Sequence, residues 1–356
     1  MKRTLIIAAM ALVAAASCQK NANEQSPEPA WDGPTGQIHL SIGPGHDTKV
    51  ALSGMNEDRI NQVQVFVFNS AGALETDRFA MNSSTSSSID MSITSRIGDK
   101  TVYALVNAPR ITHSLSLSEL EGTLSDLKDN SVNNLVMTGK KTINVQQYDG
   151  TTPTTLTIYV KKLAAAIVLS EVNVDFSNTV LEGSTFVLKE IYAKNVVGKA
   201  LLGVSSEGDG KTTTGIPMAL PEKQRSNTAN WYNKLKLDAT PLALTYDACN
   251  LTSFARPSRV LYVYPNATAE DSKDASGDFT PRHTRLVLHA QVAGKDSYYP
   301  FDLPVLEPNK KYSVSVSITM LGKPDDNDDT RVNVGILAPV IKISDWDATT
   351  HLPYNM

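Results

Sequence analysis

The chain has 356 residues, 41% of them apolar and 20% charged, with a net charge of −4. This composition buries a sizeable core and excludes an intrinsically disordered chain, and the charge excludes a strongly basic nucleic-acid binder. Two cysteines exclude a disulfide scaffold, and six scattered histidines leave little material for a metal enzyme. At about 150 residues per domain, the length points to two domains.

The first predicted element is an export signal. Lys2 and Arg3 precede an apolar run of 12 residues, Leu5 to Ala16, which is too short to span a bilayer. Residues 1–17 read as a signal peptide. Ala15, Ala16 and Ser17 before Cys18 resemble a bacterial lipobox, with Ala15 where Leu is commoner. In such a motif the peptidase cuts before the cysteine and the thiol is acylated with palmitate-like chains. A lipid on Cys18 would anchor the chain to a membrane from outside the cytoplasm. Residues 18–36 are polar, carry Pro27, Pro29 and Pro34, and read as a lipidated flexible tether. Cys249 then has no partner and reads as a small buried apolar residue.

Short strands follow. Gln37 to Ile42 alternates strictly, with Ile38, Leu40 and Ile42 on one face. Val63 to Phe68 is a β-branched and aromatic run ended by the turn signal Asn69-Ser-Ala-Gly72. Thr101 to Val106 stops at Asn107-Ala-Pro109, and Leu135 to Met137 precedes Gly139. Between them, Leu115 to Leu127, opened by Ser114 and Ser116, is the best helical candidate. Leu156 to Val160, Leu163 to Leu169, Phe186 to Leu188, Ile191 to Ala193, Val260 to Tyr264 and Arg285 to Val292 continue the strand pattern. Tyr312 to Ile318 alternates and stops near Gly322. Val332, Val334 and Ile336 alternate again, and Val340, Ile341 and Ile343 form a last run. The expected fold is all-β: two antiparallel β-sandwich domains, over 37–158 and 159–356.

Catalytic and metal signatures fail on inspection. Gly210-Lys211-Thr212 has Ser205 where a P-loop needs Gly. The acidic run Asp325 to Asp329 has Thr330 where a calcium loop needs Gly and Ile336 where it needs Glu, so it reads as a solvated hairpin tip. His283 and His289 lack a compact ligand partner. No catalytic, cofactor or metal residue is assigned, and an enzyme is not expected.

Several segments together resemble the fimbrillin family. Val65-Phe-Val-Phe-Asn69 with Gly72 and Leu74 is similar to its strand-turn, and Thr101-Val-Tyr-Ala-Leu-Val-Asn-Ala108 to a following strand. Leu135-Val-Met-Thr-Gly139 resembles its Met-x-Gly segment. Val160 to Ile167 resembles the opening of its second domain, where Arg is commoner than Lys162. Phe186, Ile191, Tyr192, Asn195, Trp231-Tyr-Asn, Leu261-Tyr-Val-Tyr-Pro-Asn266, Asn309, Tyr312 and Trp346 fit the rest, so the likeness spans about residues 37–348. The family contains lipoprotein precursors of type V pili in Bacteroidetes-type bacteria.

The resemblance implies two transthyretin-like sandwiches and a surface pilus assembled from an outer-membrane lipoprotein. It implies that a trypsin-like protease removes the lipid-bearing segment with the first strand, here residues 37–42. A C-terminal extension of the next subunit, here about 323–356, would fill the groove head-to-tail, supporting adhesion. Lys49 stands near the family's cleavage arginine, and Arg59 is the alternative. Val332, Val334 and Ile336, or Val340, Ile341 and Ile343, would supply the donor. The partners are then copies of the same chain or related pilus subunits, the outer membrane and the protease. The alternative is a surface lipoprotein that binds glycan or another ligand without polymerising.

Overall fold

The computed structural model describes residues 33–45, 56–208, 215–217, 231–236, 244–246, 253–255, 259–268, 282–326 and 337–345. In the first half these form β1 (Thr35–Gly43), β2 (Gln62–Asn69), β3 (Leu74–Met81), β4 (Ile89–Arg96), β5 (Gly98–Val106), α1 (Leu117–Gly122), β6 (Leu124–Asp126), β7 (Met137–Val145), β8 (Thr154–Tyr159) and β9 (Lys161–Lys162). Strands β4-β1-β8 make one sheet and β3-β2-β5-β7-β9 the other.

The alternation of β1 turns Ile38, Leu40 and Ile42 inward onto Val63, Val65 and Val67 of β2 and Val102, Ala104 and Val106 of β5. The opposite face of β2 and β5 is buried as well: Phe66, Phe68, Tyr103 and Leu105 join a second, larger core. A sheet covered on both faces has no polar face to show, which is why Val65 to Phe68 reads as an unbroken apolar run and why Gln64 beside it is buried as well.

The second half holds β10 (Ala165–Val174), β11 (Phe186–Val197), β12 (Lys199–Leu201), β13 (Val204–Gly208), β14 (Gly215–Pro217), β15 (Trp231–Lys236), β16 (Leu244–Tyr246), β17 (Ser253–Ala255), β18 (Arg259–Val263), β19 (Arg285–Val292), β20 (Lys295–Asp302), β21 (Lys310–Ile318) and β22 (Leu337–Asp345). One sheet runs β17-β10-β21-β22, with β18 also on β10. The other runs β15-β11-β19-β20, with β16 also on β11. The larger core lies between them and continues to Phe66 and Tyr103 of the first half.

The sequence reading needs four corrections. Two strand pairs are parallel, β1 with β8 and β10 with β21, because each joins strands far apart in the chain rather than hairpin neighbours. The helix covers only Leu117–Gly122. Ser116 caps it with a full capping box through Glu119, but Leu120 is its one buried residue, and Thr123 turns the chain into β6. Phe186 to Leu188 and Ile191 to Ala193 belong to one strand, β11, interrupted at a bulge between Leu188 and Glu190. Gly139 lies inside β7, which runs on to Val145.

Residues from Thr35 onward form one compact unit. β6 pairs with β12 across the two halves. The Tyr103 hydroxyl donates to Leu202 O, and Asn130 Nδ2 donates to the Tyr264 hydroxyl at 2.9 Å.

Candidate functional site

β1 is the middle strand of its sheet. It pairs antiparallel with β4, with Leu40 opposite Met91, and parallel with β8, with Leu40 opposite Leu156. Ile38, Leu40 and Ile42 are 0% exposed. Burying three such side chains is worth roughly 5–9 kcal/mol before entropy. Take β1 away and two things are left: an apolar slot one strand wide, and unpaired backbone groups facing it on β4 and β8. The complement of that slot is an extended chain with aliphatic residues at every second position, whose own backbone completes both ladders.

The chain re-enters the described structure at Asn56. Its backbone N–H donates to Asn133 Oδ1 at 3.1 Å and its side-chain amide to Thr85 O at 3.1 Å. Glu57 accepts from the Tyr262 hydroxyl at 2.8 Å and from Lys311 Nζ at 3.3 Å. Asp58 accepts from Lys162 Nζ at 2.6 Å, and the Lys162 side chain is 2% exposed. Arg59, the alternative processing residue, is half-buried, and Ile60 behind it is fully buried. Asn61 Nδ2 reaches Asn133 O and Asn134 Oδ1 at 2.7 and 2.8 Å.

Sequence reasoning missed this asparagine and carboxylate set. The signals were present in part, since Asn107 and Lys162 both sit in the segments quoted for the family resemblance, but their partners are distant in the chain.

At the other end, β22 is an edge strand on β21, with Ile341 opposite Val314 and Ile343 opposite Tyr312. Val340 and Ile343 are 57% and 55% exposed, and Ile341 alone of the three packs against the core. The structure therefore brings Ile38, Leu40 and Ile42 together in one core and sets Val340, Ile341 and Ile343 on a separate sheet. Cys18, Lys49, Val332, Val334 and Ile336 lie outside the described residues, as do the signal peptide, nearly all of the tether, Cys249, Gly210 to Thr212 and Trp346.

The start of the acidic run is not a solvated tip. Asp326 accepts from the Tyr192 hydroxyl at 2.7 Å, and its carbonyl accepts from Lys194 Nζ at 2.6 Å, so it docks against β11. His289 stacks on Tyr298 with ring centroids 4.3 Å apart, and its Nε2 lies 3.1 Å from Asp296 Oδ1.

Residues 45–162 match the family model described as "Major fimbrial subunit protein (FimA)". No curated protein matches the sequence. Among solved structures, a Parabacteroides distasonis protein proposed to act in cell adhesion superposes with a TM-score of 0.57 at 15% identity, covering 88% of this chain and 99% of that one. A fimbrilin from Porphyromonas gingivalis gives 0.54 at 14% identity, covering 88% and 98%. The tip fimbrial protein Mfa3 from Porphyromonas gingivalis, with a C-terminal truncation, gives 0.50 at 13% identity, covering 88% and 100%. The fold of nearly the whole described body and the sequence of residues 45–162 thus resemble one family, that of the fimbrial major subunits.

Proposed function

We propose that this chain is a structural subunit of a surface pilus, exported as a lipoprotein on Cys18 and polymerised head-to-tail by strand exchange. The observation that carries the reading is β1: an N-terminal strand whose three aliphatic side chains are wholly buried at the centre of a sheet. Its loss opens a slot that a C-terminal strand of like alternation can fill. Because donor and slot lie on different halves of the body, the contact does not close on itself and propagates a filament. The fimbrial subunit and tip proteins among the structural neighbours support the same role.

In this reading a trypsin-like protease cuts at Lys49, and the first half accepts either Val332, Val334 and Ile336 or Val340, Ile341 and Ile343 of the next subunit. β22 suits release because, among its described side chains, Ile341 is the one that packs against the core. The role is architectural, and adhesion follows from the filament.

The test is electrophoresis of protein released from the cell surface, run without boiling, with N-terminal sequencing of the bands. A ladder whose rungs begin at Val50 is expected. A single band that still carries Cys18 would overturn the reading in favour of a lipoprotein that binds a ligand without polymerising.

A further inference from the structure

Residues 56–62 are held far more firmly than a connecting segment needs. Asn107 stands at the centre, 2% exposed and at φ 58°. Its Oδ1 accepts from the backbone N–H of Asn61 at 2.8 Å and of Gln62 at 3.3 Å. Its Nδ2 donates to Arg59 O at 2.7 Å and Leu135 O at 3.1 Å. One amide thus spends its full capacity, two acceptances and two donations, on holding this segment to β7's approach. Ile60 N–H donates to Ser86 O at 3.1 Å. Asn133, Asn134 and Thr85 hold the flanks, and Lys162, Tyr262 and Lys311 hold the two carboxylates. None of these partners lies on β1.

We propose that residues 56–62 form a clamp keyed by Asn107, which shields the Arg59–Ile60 bond from trypsin-like proteases and keeps this segment folded when β1 leaves. A trypsin-like enzyme needs the arginine side chain extended into its pocket and the scissile carbonyl free for attack. Here Arg59 Nε is buried, and the carbonyl in question is the one Asn107 holds. The residue on the far side of the bond is fully buried. Cutting therefore requires local opening of the clamp, and its rate follows the population of that open form. The shielding is a property of the folded precursor. Its consequence for maturation, that the new N-terminus falls upstream of Asn56 and the rim of the slot stays built, rests on the pilus-subunit reading.

The experiment uses the full-length precursor in detergent, digested with trypsin over time, with N-terminal sequencing of products and circular dichroism to verify folding. The wild type should yield no fragment beginning at Ile60 while it remains folded. Asn107→Gly keeps the positive φ available and removes all four bonds, so cutting at Arg59 should accelerate roughly tenfold or more. Asn133→Ala removes only the tie to Asn56 and should accelerate it by roughly threefold. Rapid wild-type cutting at Arg59 overturns the proposal. So does a folded Asn107→Gly protein as resistant as wild type. Should Asn107→Gly fail to fold, wild-type resistance in folded Asn133→Ala overturns it instead. The two readings also fail separately. Pilus subunits that begin at Ile60 would refute the clamp alone, and a protected Arg59 in a protein that never forms ladders would refute the pilus role alone.

Discussion

Asparagines fix the corners of this molecule. Asn107, Asn195 and Asn309 have φ of 58°, 55° and 55°, the left-handed region that asparagine tolerates better than most side chains. Asn309 Oδ1 accepts from Lys162 N–H at 3.2 Å, 147 residues away in the chain. Asn266 Nδ2 donates to Thr284 Oγ1 at 3.0 Å, and its Oδ1 accepts from Thr268 N–H at 3.1 Å. In the sequence Asn107 and Asn266 are visible as strand-enders, and Asn195 and Asn309 only as positions of family-like segments. What they do there depends on partners that the chain brings close only by folding. Glycine divides the same way. A Cβ on Gly139 would lie 2.5 Å from Tyr159 O and 2.9 Å from Ile158 Cγ2, whereas one on Gly122 meets nothing within 4 Å. Gly139→Ala should cost about 1–3 kcal/mol, since the nearest obstacle is the backbone of β8, a strand of the other first-half sheet. Gly122→Ala, in the last turn of α1, should be neutral or stabilise by up to about 1 kcal/mol. Urea midpoints of the two variants check both signs, and a neutral Gly139→Ala would mean that the β7–β8 approach is looser than described.

Most strands were legible from alternation or from short β-branched and aromatic runs. β1 and β21 alternate as expected, with every second residue buried. β3 escaped notice because no residue of Leu74–Met81 is fully buried, so no period stands out. β4 carries the same alternation as β1, with Ile89, Met91 and Ile93 on one face and Asp90, Ser92 and Thr94 on the other, so it was legible and was overlooked. The helix is shorter than expected because its buried leucines are split among elements: Leu115, Leu120 and Leu127 are all buried, but only Leu120 lies within Leu117–Gly122. Of the candidate site, the aliphatic face of β1 was readable from its alternation, while the clamp was not. At this scale the two terminal strands should behave differently on deletion. A chain ending at Asp326 loses β22, an edge strand whose described side chains include one half-buried aliphatic contact, Ile341, and should still fold as a monomer with a modest loss of stability. A chain beginning at Asn56 loses β1, leaves an open apolar slot, and should aggregate or lose more than about 5 kcal/mol. Thermal melts and sedimentation velocity distinguish them, and equal behaviour would remove the contrast on which strand release depends.

The molecule as a whole is bound by tyrosines as much as by aliphatics. Tyr103, Tyr192, Tyr264, Tyr299 and Tyr312 are among its largest fully buried side chains. Burial pushes the hydroxyls of Tyr299 and Tyr312 up to about 12, and those of Tyr103, Tyr192, Tyr262 and Tyr264 higher still. A raised folded-state value means that the folded chain holds its protons more tightly than the unfolded chain. The resulting stability is complete below about pH 10, where an unfolded tyrosine titrates, and is lost as pH rises toward 12. Urea midpoints should therefore fall steeply between pH 10 and 12. The halves should loosen early, because Tyr103 and Tyr264 tie one to the other. A midpoint unchanged to pH 12 would mean that these hydroxyls reach water. The shared core was not foreseen from the sequence, since a boundary near residue 159 separates strands whose outer faces turn out to pack together.

The central position of β1 also has a mechanical side. A strand flanked by two neighbours and drawn along its own axis loads both ladders at once, so its bonds must fail together in shear. An edge strand such as β22 can be peeled from one end, one bond after another. Whatever occupies the slot between β4 and β8 is therefore placed to bear tension, while the strand best placed to leave its own sheet is the one that needs little force to free.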